Sequence, residues 1–214
     1  MYPRFILIEG IDGSGKDTFA GLLREAIVER FRYDPAATLS VVGQPCFRFD
    51  SNGRVRALIE RGEQAASFKE MVEDLSRNRV LHEGYLDRYG GFIICIRGLL
   101  TDLATLQRVY GRTPEGFLGQ RRVIDRLLVV DLPSEEARTR IEGRGTPTTW
   151  REEPKHLSFF RDFYLAYRLP AGHGRTTVVR NEDRTALKAS ADAVADELLA
   201  EHPARVLTQG KEGE

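Results

Sequence analysis

The sequence predicts an α/β fold, a parallel five-stranded sheet with helices on both faces. Three observations predict it. Short, uniformly apolar runs alternate with segments of helical spacing along the 214 residues, the pattern of strands buried on both faces. The first run, Phe5–Glu9, passes through a glycine-rich turn straight into a helical segment. The length suits one core, so a single domain over residues 1–205 is expected, with a mobile lid and a polar, frayed tail at 206–214.

Each element follows in order. Phe5–Glu9 is a buried strand that Gly10 terminates, and Phe19–Phe31 repeats at helical spacing through Phe19, Leu22, Leu23, Ala26, Ile27 and Phe31. Leu39–Val42 reads as a second strand, closed by Gly43-Gln44-Pro45, and Val55–Ile59 as a short helix. Phe68–Tyr89 reads as a long helix with Met71, Val72, Leu75, Val80 and Leu81 inward, broken by Gly90-Gly91. Phe92–Ile96 is the most apolar strand, and Leu99–Tyr110 is helical. Leu127–Leu132 is a strand, and Pro133-Ser134-Glu135-Glu136 opens a helix with Ser134 as its cap, ending near Gly143–Gly145. Thr146–His156, rich in Pro, Thr and charge, reads as a mobile loop. Thr176–Val179 is the last strand and Thr185–Ala200 the last helix.

Composition narrows the function classes. Lys and Arg number 32, Asp and Glu 32, for a net charge of zero. A strong sequence-independent grip on nucleic acid would need a net basic face, so nucleic acid is not indicated, although local basic patches stay open. Arginine far outnumbers lysine, which suits bidentate phosphate binding or reflects composition alone. Cys46 and Cys95 lie far apart without metal-type spacing, as in reduced thiols of a cytoplasmic protein. The chain enters a strand almost at once and holds no apolar run near membrane-spanning length, so neither a signal peptide nor a membrane span is expected.

The densest chemistry lies in Gly10-Ile11-Asp12-Gly13-Ser14-Gly15-Lys16-Asp17-Thr18. Three glycines between a strand and a helix have the layout of a P-loop: backbone N–H groups wrap phosphate oxygens, and the helix N-terminus adds partial positive charge. Lys16 would reach the outer phosphates of a nucleoside triphosphate. The motif has Ser or Thr after its lysine, where the hydroxyl ligates magnesium, and this chain has Asp17. Two readings of Asp17 stay open, a carboxylate ligand for magnesium and a negative side chain at the positive end of a helix. Thr18 offers either a hydroxyl near the metal or a cap. Glu9 reads as structural. Arg97 follows the third strand at the carboxyl edge of the sheet, where such folds bind ligands.

On Phe5–Lys16 and Asp125–Gly145, and on the order and spacing of the elements between, the chain resembles the thymidylate kinase family of P-loop nucleoside monophosphate kinases. The likeness spans about residues 4 to 200. Gln44-Pro45 sits where that family carries Arg-Glu-Pro, Ser76-Arg77-Asn78-Arg79 where it carries an arginine that contacts the acceptor base, and Gly143-Arg144-Gly145 opens the segment resembling its lid. The resemblance implies a three-layer P-loop kinase fold with a lid at about 144–156. It further implies ATP as donor, magnesium, a small-molecule nucleotide as acceptor, and a homodimer. It also implies roles. Gly10, Asp12, Gly13, Ser14, Gly15, Lys16, Asp17 and Thr18 bind the donor nucleotide, Asp17 holds the metal, and Asp12 is a base or metal organiser or else a turn-forming aspartate. Arg97 holds the acceptor phosphate or else makes a surface ion pair, with Arg79, Arg48 and Arg56 as weaker acceptor-side candidates or else solvated charges. No arginine stands in the loop itself, so Arg144, Arg151 and Lys155 of the lid are expected to place positive charge over the transferring group, or else to be the ordinary charges of a charged loop.

The departures fall on the acceptor half. The family's third strand ends in Asp-Arg and here it ends Ile96-Arg97-Gly98; its aromatic base platform falls near Leu75; and Thr105 and Gln107 are out of register with its Tyr-Gln pair. Asp102 would be a substitute acid or a solvated helix carboxylate. The expectation is transfer of the γ-phosphoryl group of ATP to a deoxynucleoside monophosphate through an altered acceptor site. A kinase for a modified nucleotide or a hydroxymethylated base in DNA, and a non-catalytic nucleotide-binding protein, stay open.

Overall fold

The computed structural model describes residues 4–31, 39–43, 49–89, 91–115, 122–145 and 148–201. Gln44, Pro45, Cys46, Arg48 and the tail lie outside them. Five strands, β1 (Arg4–Glu9), β2 (Leu39–Gly43), β3 (Phe92–Ile96), β4 (Arg126–Asp131) and β5 (Arg175–Arg180), form one parallel sheet in the order β2-β3-β1-β4-β5. The helices are α1 (Lys16–Phe31), α2 (Arg54–Arg56, continued by a π-helical turn over Ala57–Arg61), α3 (Phe68–Leu86), α4 (Leu99–Tyr110), α5 (Ser134–Glu142), α6 (Pro154–Ala166) and α7 (Arg184–Glu201), with a short 3-10 turn at Trp150–Glu152. Among the described residues no helix is long and apolar enough to cross a membrane.

The central strands β1, β3 and β4 are apolar through their middles because they serve two cores. Ile6 and Ile8 of β1, Ile94 of β3 and Leu128 and Val130 of β4 face one layer, packed on Phe19, Leu23 and Ile27 of α1 and Leu187, Ala191 and Leu198 of α7. Phe5, Leu7, Ile93, Cys95, Leu127 and Val129 face the other, packed on α2 to α6. Each fully buried Leu, Ile or Phe side chain contributes about 1.5–3 kcal/mol. β1 lies between β3 and β4, so the chain diverges at its carboxyl end. That divergence opens a crevice where an α/β sheet takes its ligand.

Four local readings are corrected. Helix α3 stops at Leu86, short of Tyr89: Arg88 donates Nε to the Tyr85 carbonyl at 2.9 Å, and the Tyr89 N–H turns to Leu86 at 3.0 Å. Its inward stripe leaves Leu81 46% exposed and runs instead through Met71, Leu75, Asn78, Arg79, His82 and Leu86. The stripe keeps helical spacing but turns polar where it meets charged partners. Ser134 is not the cap of α5, because Pro133 holds that position and Ser134 begins the helix. Helix α6, absent from the sequence reading, begins inside the segment read as a loop. Thr149 opens the 3-10 turn through a capping box with Glu152, and Pro154 starts α6 at a position where its missing N–H is harmless.

Candidate active site

The loop between β1 and α1 has the backbone that its glycines permit. Gly10, Gly13 and Gly15 have φ of 155°, 83° and 87°, values side-chain-bearing residues rarely adopt. Gly15 also meets a close neighbour. A Cβ there would stand 2.4 Å from the side-chain nitrogen of Asn181. That buried amide donates to the carbonyl of Ser14 at 2.6 Å, while the Asn181 backbone N–H donates to Asp131 at 2.9 Å. β5 thus delivers a side chain that holds the loop open. Asn181 was not singled out from sequence. Its signal is a polar residue directly after the edge strand, at the carboxyl edge where ligands bind.

Lys16, the first residue of α1, is 2% exposed, and its Nζ lies 3.2 Å from both the Ile11 carbonyl and Asp12 Oδ1. Burial lowers its pKa, against the pull of Asp12. Asp12 is shared further. Its Oδ1 accepts from Arg97, and its Oδ2 lies 3.5 Å from Arg151. Burial alone would raise the Asp12 carboxyl; Lys16, Arg151 and Arg97 together outweigh it and hold it well below the usual carboxylate range. Three cations thus meet one carboxylate, and the cluster carries excess positive charge.

Arg97 stands just beyond β3 with φ 64°, the single non-glycine residue at positive φ among those described. Its N–H donates to Ile8 at 2.8 Å. A left-handed arginine costs about 1–2 kcal/mol, and the geometry turns the guanidinium back over β1 to Asp12. Arg151 arrives from the 3-10 turn. Tyr164, Phe160 and Leu157 of α6 close a small pocket with Gly10, Ile11, Asp12, Arg97 and Arg151. None of these three α6 residues was read from sequence, although 157, 160 and 164 have helical spacing. An open cleft continues outward along Ile59, Glu60, Arg144, Thr149 and Glu152.

The other expected residues lie elsewhere. Arg144 lines that cleft but is half-exposed and 4.0 Å from Glu152, not in the cation cluster. Lys155 pairs with Glu153 at 3.1 Å and Arg56 is exposed, 3.9 Å from Glu60. Asp17 and Thr18 are exposed on the first turn of α1. Ser14 is fully buried, and its Oγ has no hydrogen-bond partner among the described residues. That orphaned hydroxyl inside a glycine cradle, beside Lys16 and a helix N-terminus, fits the oxygen-rich phosphates of a nucleotide. Among the described residues no three His, Cys, Asp or Glu side chains gather at one point. A cation here would take one or two protein oxygens and the rest from phosphate and water, as magnesium does.

Beneath the cluster lies a second buried network. Glu9, fully buried at the end of β1, accepts from the N–H groups of Leu100 and Thr101 at 3.2 and 3.3 Å and from the Thr101 hydroxyl at 2.8 Å. Glu9 therefore caps α4. Burial, outweighing those hydrogen bonds, raises its pKa to about 7. The Thr101 hydroxyl also meets Tyr164 at 3.3 Å. Arg79 and Asp102 form a buried ion pair, 4% and 5% exposed. Neither is the solvated charge that the sequence allowed: the polar stripe of α3 and the first turn of α4 bury each other's charges. Leu75, placed where a base platform was sought, is 2% exposed within the core.

The sheet order, with the glycine loop joining its central strand to α1, defines the chain as a P-loop kinase fold. Two curated relatives, each named a probable thymidylate kinase, from Methanococcus maripaludis strains C7 and C6, are 26% and 25% identical over 146 residues. In sequence the chain is thus similar, at a distance, to proteins named as thymidylate kinases. The match to each relative spans 66% of this chain and 66% of the relative. The solved structure of thymidylate kinase from Candida albicans superposes with a TM-score of 0.63 at 18% identity, covering 92% of each chain. No family model matches the sequence.

Proposed function

We propose that the chain is an ATP- and magnesium-dependent phosphotransferase whose acceptor is a nucleotide, a deoxynucleoside monophosphate in the first instance, bound in an altered acceptor site. One observation carries this reading, the convergence of Lys16, Arg97 and Arg151 on Asp12 at the mouth of the glycine loop. A lone carboxylate leaves that set under-neutralised, and phosphate oxygens match it in charge and hydrogen-bonding number. Phosphoryl transfer is accelerated mainly by positioning and by positive charge over the transferring group. Lys16 and the loop N–H groups would hold the donor phosphates, Arg97 the acceptor phosphate, and Arg151 the group between them. Asp17, aided by Thr18, would hold magnesium, which neutralises phosphate charge when bound. Asp12 would keep the three cations aligned until phosphate displaces them. Residues 144–156 would act as a lid on a single domain, and the expectation from the sequence, a cytoplasmic homodimer, stands as part of this proposal.

The test is turnover of ATP by the purified protein with magnesium against a panel of nucleoside monophosphates, modified nucleotides and oligonucleotides. Lys16→Ala serves as the control by calorimetry. It should weaken ATP binding by about tenfold to a hundredfold, as expected for losing a charge-assisted bond. Equal ATP affinity in wild type and Lys16→Ala would reject the nucleotide site.

A further inference from the structure

Trp150, the single tryptophan of the chain, lies outside the charged cluster yet is bonded to the residue that completes it. Its Nε1–H donates to the carbonyl of Ile59 at 3.1 Å. In a regular helix that carbonyl would accept the N–H of Glu63. Here Ala57–Arg61 winds as a π-helical turn. Glu63 reaches back to Ala57 at 3.2 Å and Gly62 to Leu58 at 2.9 Å, which frees Ile59 for the indole. Isolated π-turns are found often at functional sites. The indole rests on Gly62, where φ is 67° and an added Cβ would come within 2.7 Å of the ring. His156 packs edge-on against it at 4.9 Å between centroids, and Phe160 at 5.8 Å. The next residue, Arg151, reaches Asp12.

We propose that Trp150 is a positioning residue. Its indole latches the segment carrying Arg151 onto the π-turn of α2 and so sets that guanidinium over Asp12 and Arg97. The inference rests on the reading of Arg151 as a contact to the transferring group. It adds a requirement absent from that reading, a freed backbone carbonyl in the π-turn and a bare glycine directly after it. Simple core packing would tolerate any large aromatic ring. A latch needs the N–H and the flat seat.

Two variants separate these. Trp150→Phe keeps a ring and removes the donor, and Gly62→Ala keeps the donor and fills the seat. Losing one hydrogen bond corresponds to about a fivefold effect. Turnover of Trp150→Phe should fall about fivefold, with ATP affinity held within about twofold. The double variant Trp150→Phe/Arg151→Ala should turn over no more slowly than Arg151→Ala, because the two residues act as one unit. A second readout needs no turnover. Trypsin cleavage after Arg151, followed by mass spectrometry, should quicken about fivefold in Trp150→Phe and more in Gly62→Ala, since local opening limits cutting. Unchanged cleavage in both variants, or losses that multiply in the double variant, would overturn the latch. If the wild type turns over ATP no faster with any acceptor of the panel than with none, the phosphotransferase reading fails visibly, and the cleavage rates still decide the latch.

Discussion

Asn181 donates its side-chain amide to the carbonyl of Ser14 at 2.6 Å, joining the end of β5 to the glycine loop across 167 residues of sequence. The contact is buried, so the Ser14 carbonyl would be left unsatisfied without it. Asn181→Ala should therefore lower stability by about 1–3 kcal/mol and weaken ATP binding as the loop relaxes. Asn181→Asp should do at least as badly, because its carboxylate would face a carbonyl oxygen. Urea unfolding and calorimetry check both. Wild-type ATP affinity in Asn181→Ala would mean that the glycines alone hold the loop.

Asp17 stands exposed on the first turn of α1, one residue beyond buried Lys16. If its carboxylate serves magnesium, Asp17→Ala should raise the magnesium concentration needed for half-maximal rate by about tenfold. Asp17→Ser should recover much of the loss, because a hydroxyl is the commoner group there. A wild-type magnesium profile in Asp17→Ala would leave the aspartate as a charge at a helix end, with an effect of only about 0.3–1 kcal/mol.

The lid arginines separate in the structure. The Arg151 side chain is 12% exposed beside Asp12, whereas that of Arg144 is 50% exposed beside Glu152. Arg151→Ala should lower turnover by about a hundredfold or more with little change in ATP affinity, the mark of a contact made in the transition state. Arg144→Ala should stay within about threefold, as exposed ion pairs do. The reverse order, in steady-state kinetics, would place the transferring group nearer the open cleft.

Glu9 gives stability a pH signature. Its carboxyl is raised from 4.5 to about 7 by burial, so the folded state holds a proton that the unfolded state has released over that window. Stability from this group is fully present below about pH 4.5 and is lost as pH rises toward 7. The change is on the order of 3 kcal/mol. Glu9→Gln cannot titrate there. The stability of wild type minus that of Glu9→Gln should therefore fall as pH rises from about 4.5 to 7 and level off above. A difference flat across that range would show that the N–H groups of Leu100 and Thr101 keep Glu9 ionised.

What could be read from sequence divides along physical lines. The central strands and α1, α4 and α7 were legible because two-faced burial demands unbroken apolar runs or regular helical stripes. The glycine loop was legible because few residues allow its backbone. The polar half of α3, with Arg79 against Asp102, was not. Burial there depends on a partner 23 residues away, and nothing local distinguishes a paired charge from a solvated one. Asn181 and Tyr164 were missed for the same reason, since each acts through an atom on a distant element. Helix α6 hid behind a segment whose Pro, Thr and charges resemble a loop, although its apolar spacing was there to be read.

The acceptor is where this chain should differ most in behaviour from the relatives it resembles. Reading a pyrimidine base asks for an aromatic platform and a free arginine, and here the candidate platform, Leu75, is buried in the core. The candidate arginine, Arg79, is buried against Asp102. Redirecting Arg79 to a ligand would break a buried ion pair, at a cost of about 3–5 kcal/mol. Arg97 is different. It is partly exposed, lines the pocket and already points to the charged cluster. We therefore expect thymidylate to be a poor acceptor, with kcat/KM well below about 10⁵ M⁻¹s⁻¹, and another phosphate- or hydroxyl-bearing compound to exceed it by about a hundredfold. Arg97→Ala should raise the KM of the preferred acceptor by about tenfold or more and leave the ATP dissociation constant nearly unchanged. Arg79→Ala should act on folding rather than on choice of acceptor, because Asp102 would be left buried without its charge partner. Steady-state kinetics on the acceptor panel, with thermal unfolding of both variants, decides the matter. Efficient thymidylate phosphorylation that Arg79→Ala abolishes in a still-folded protein would mean that the Arg79–Asp102 pair opens to receive the base, and that this acceptor site is unaltered in its chemistry.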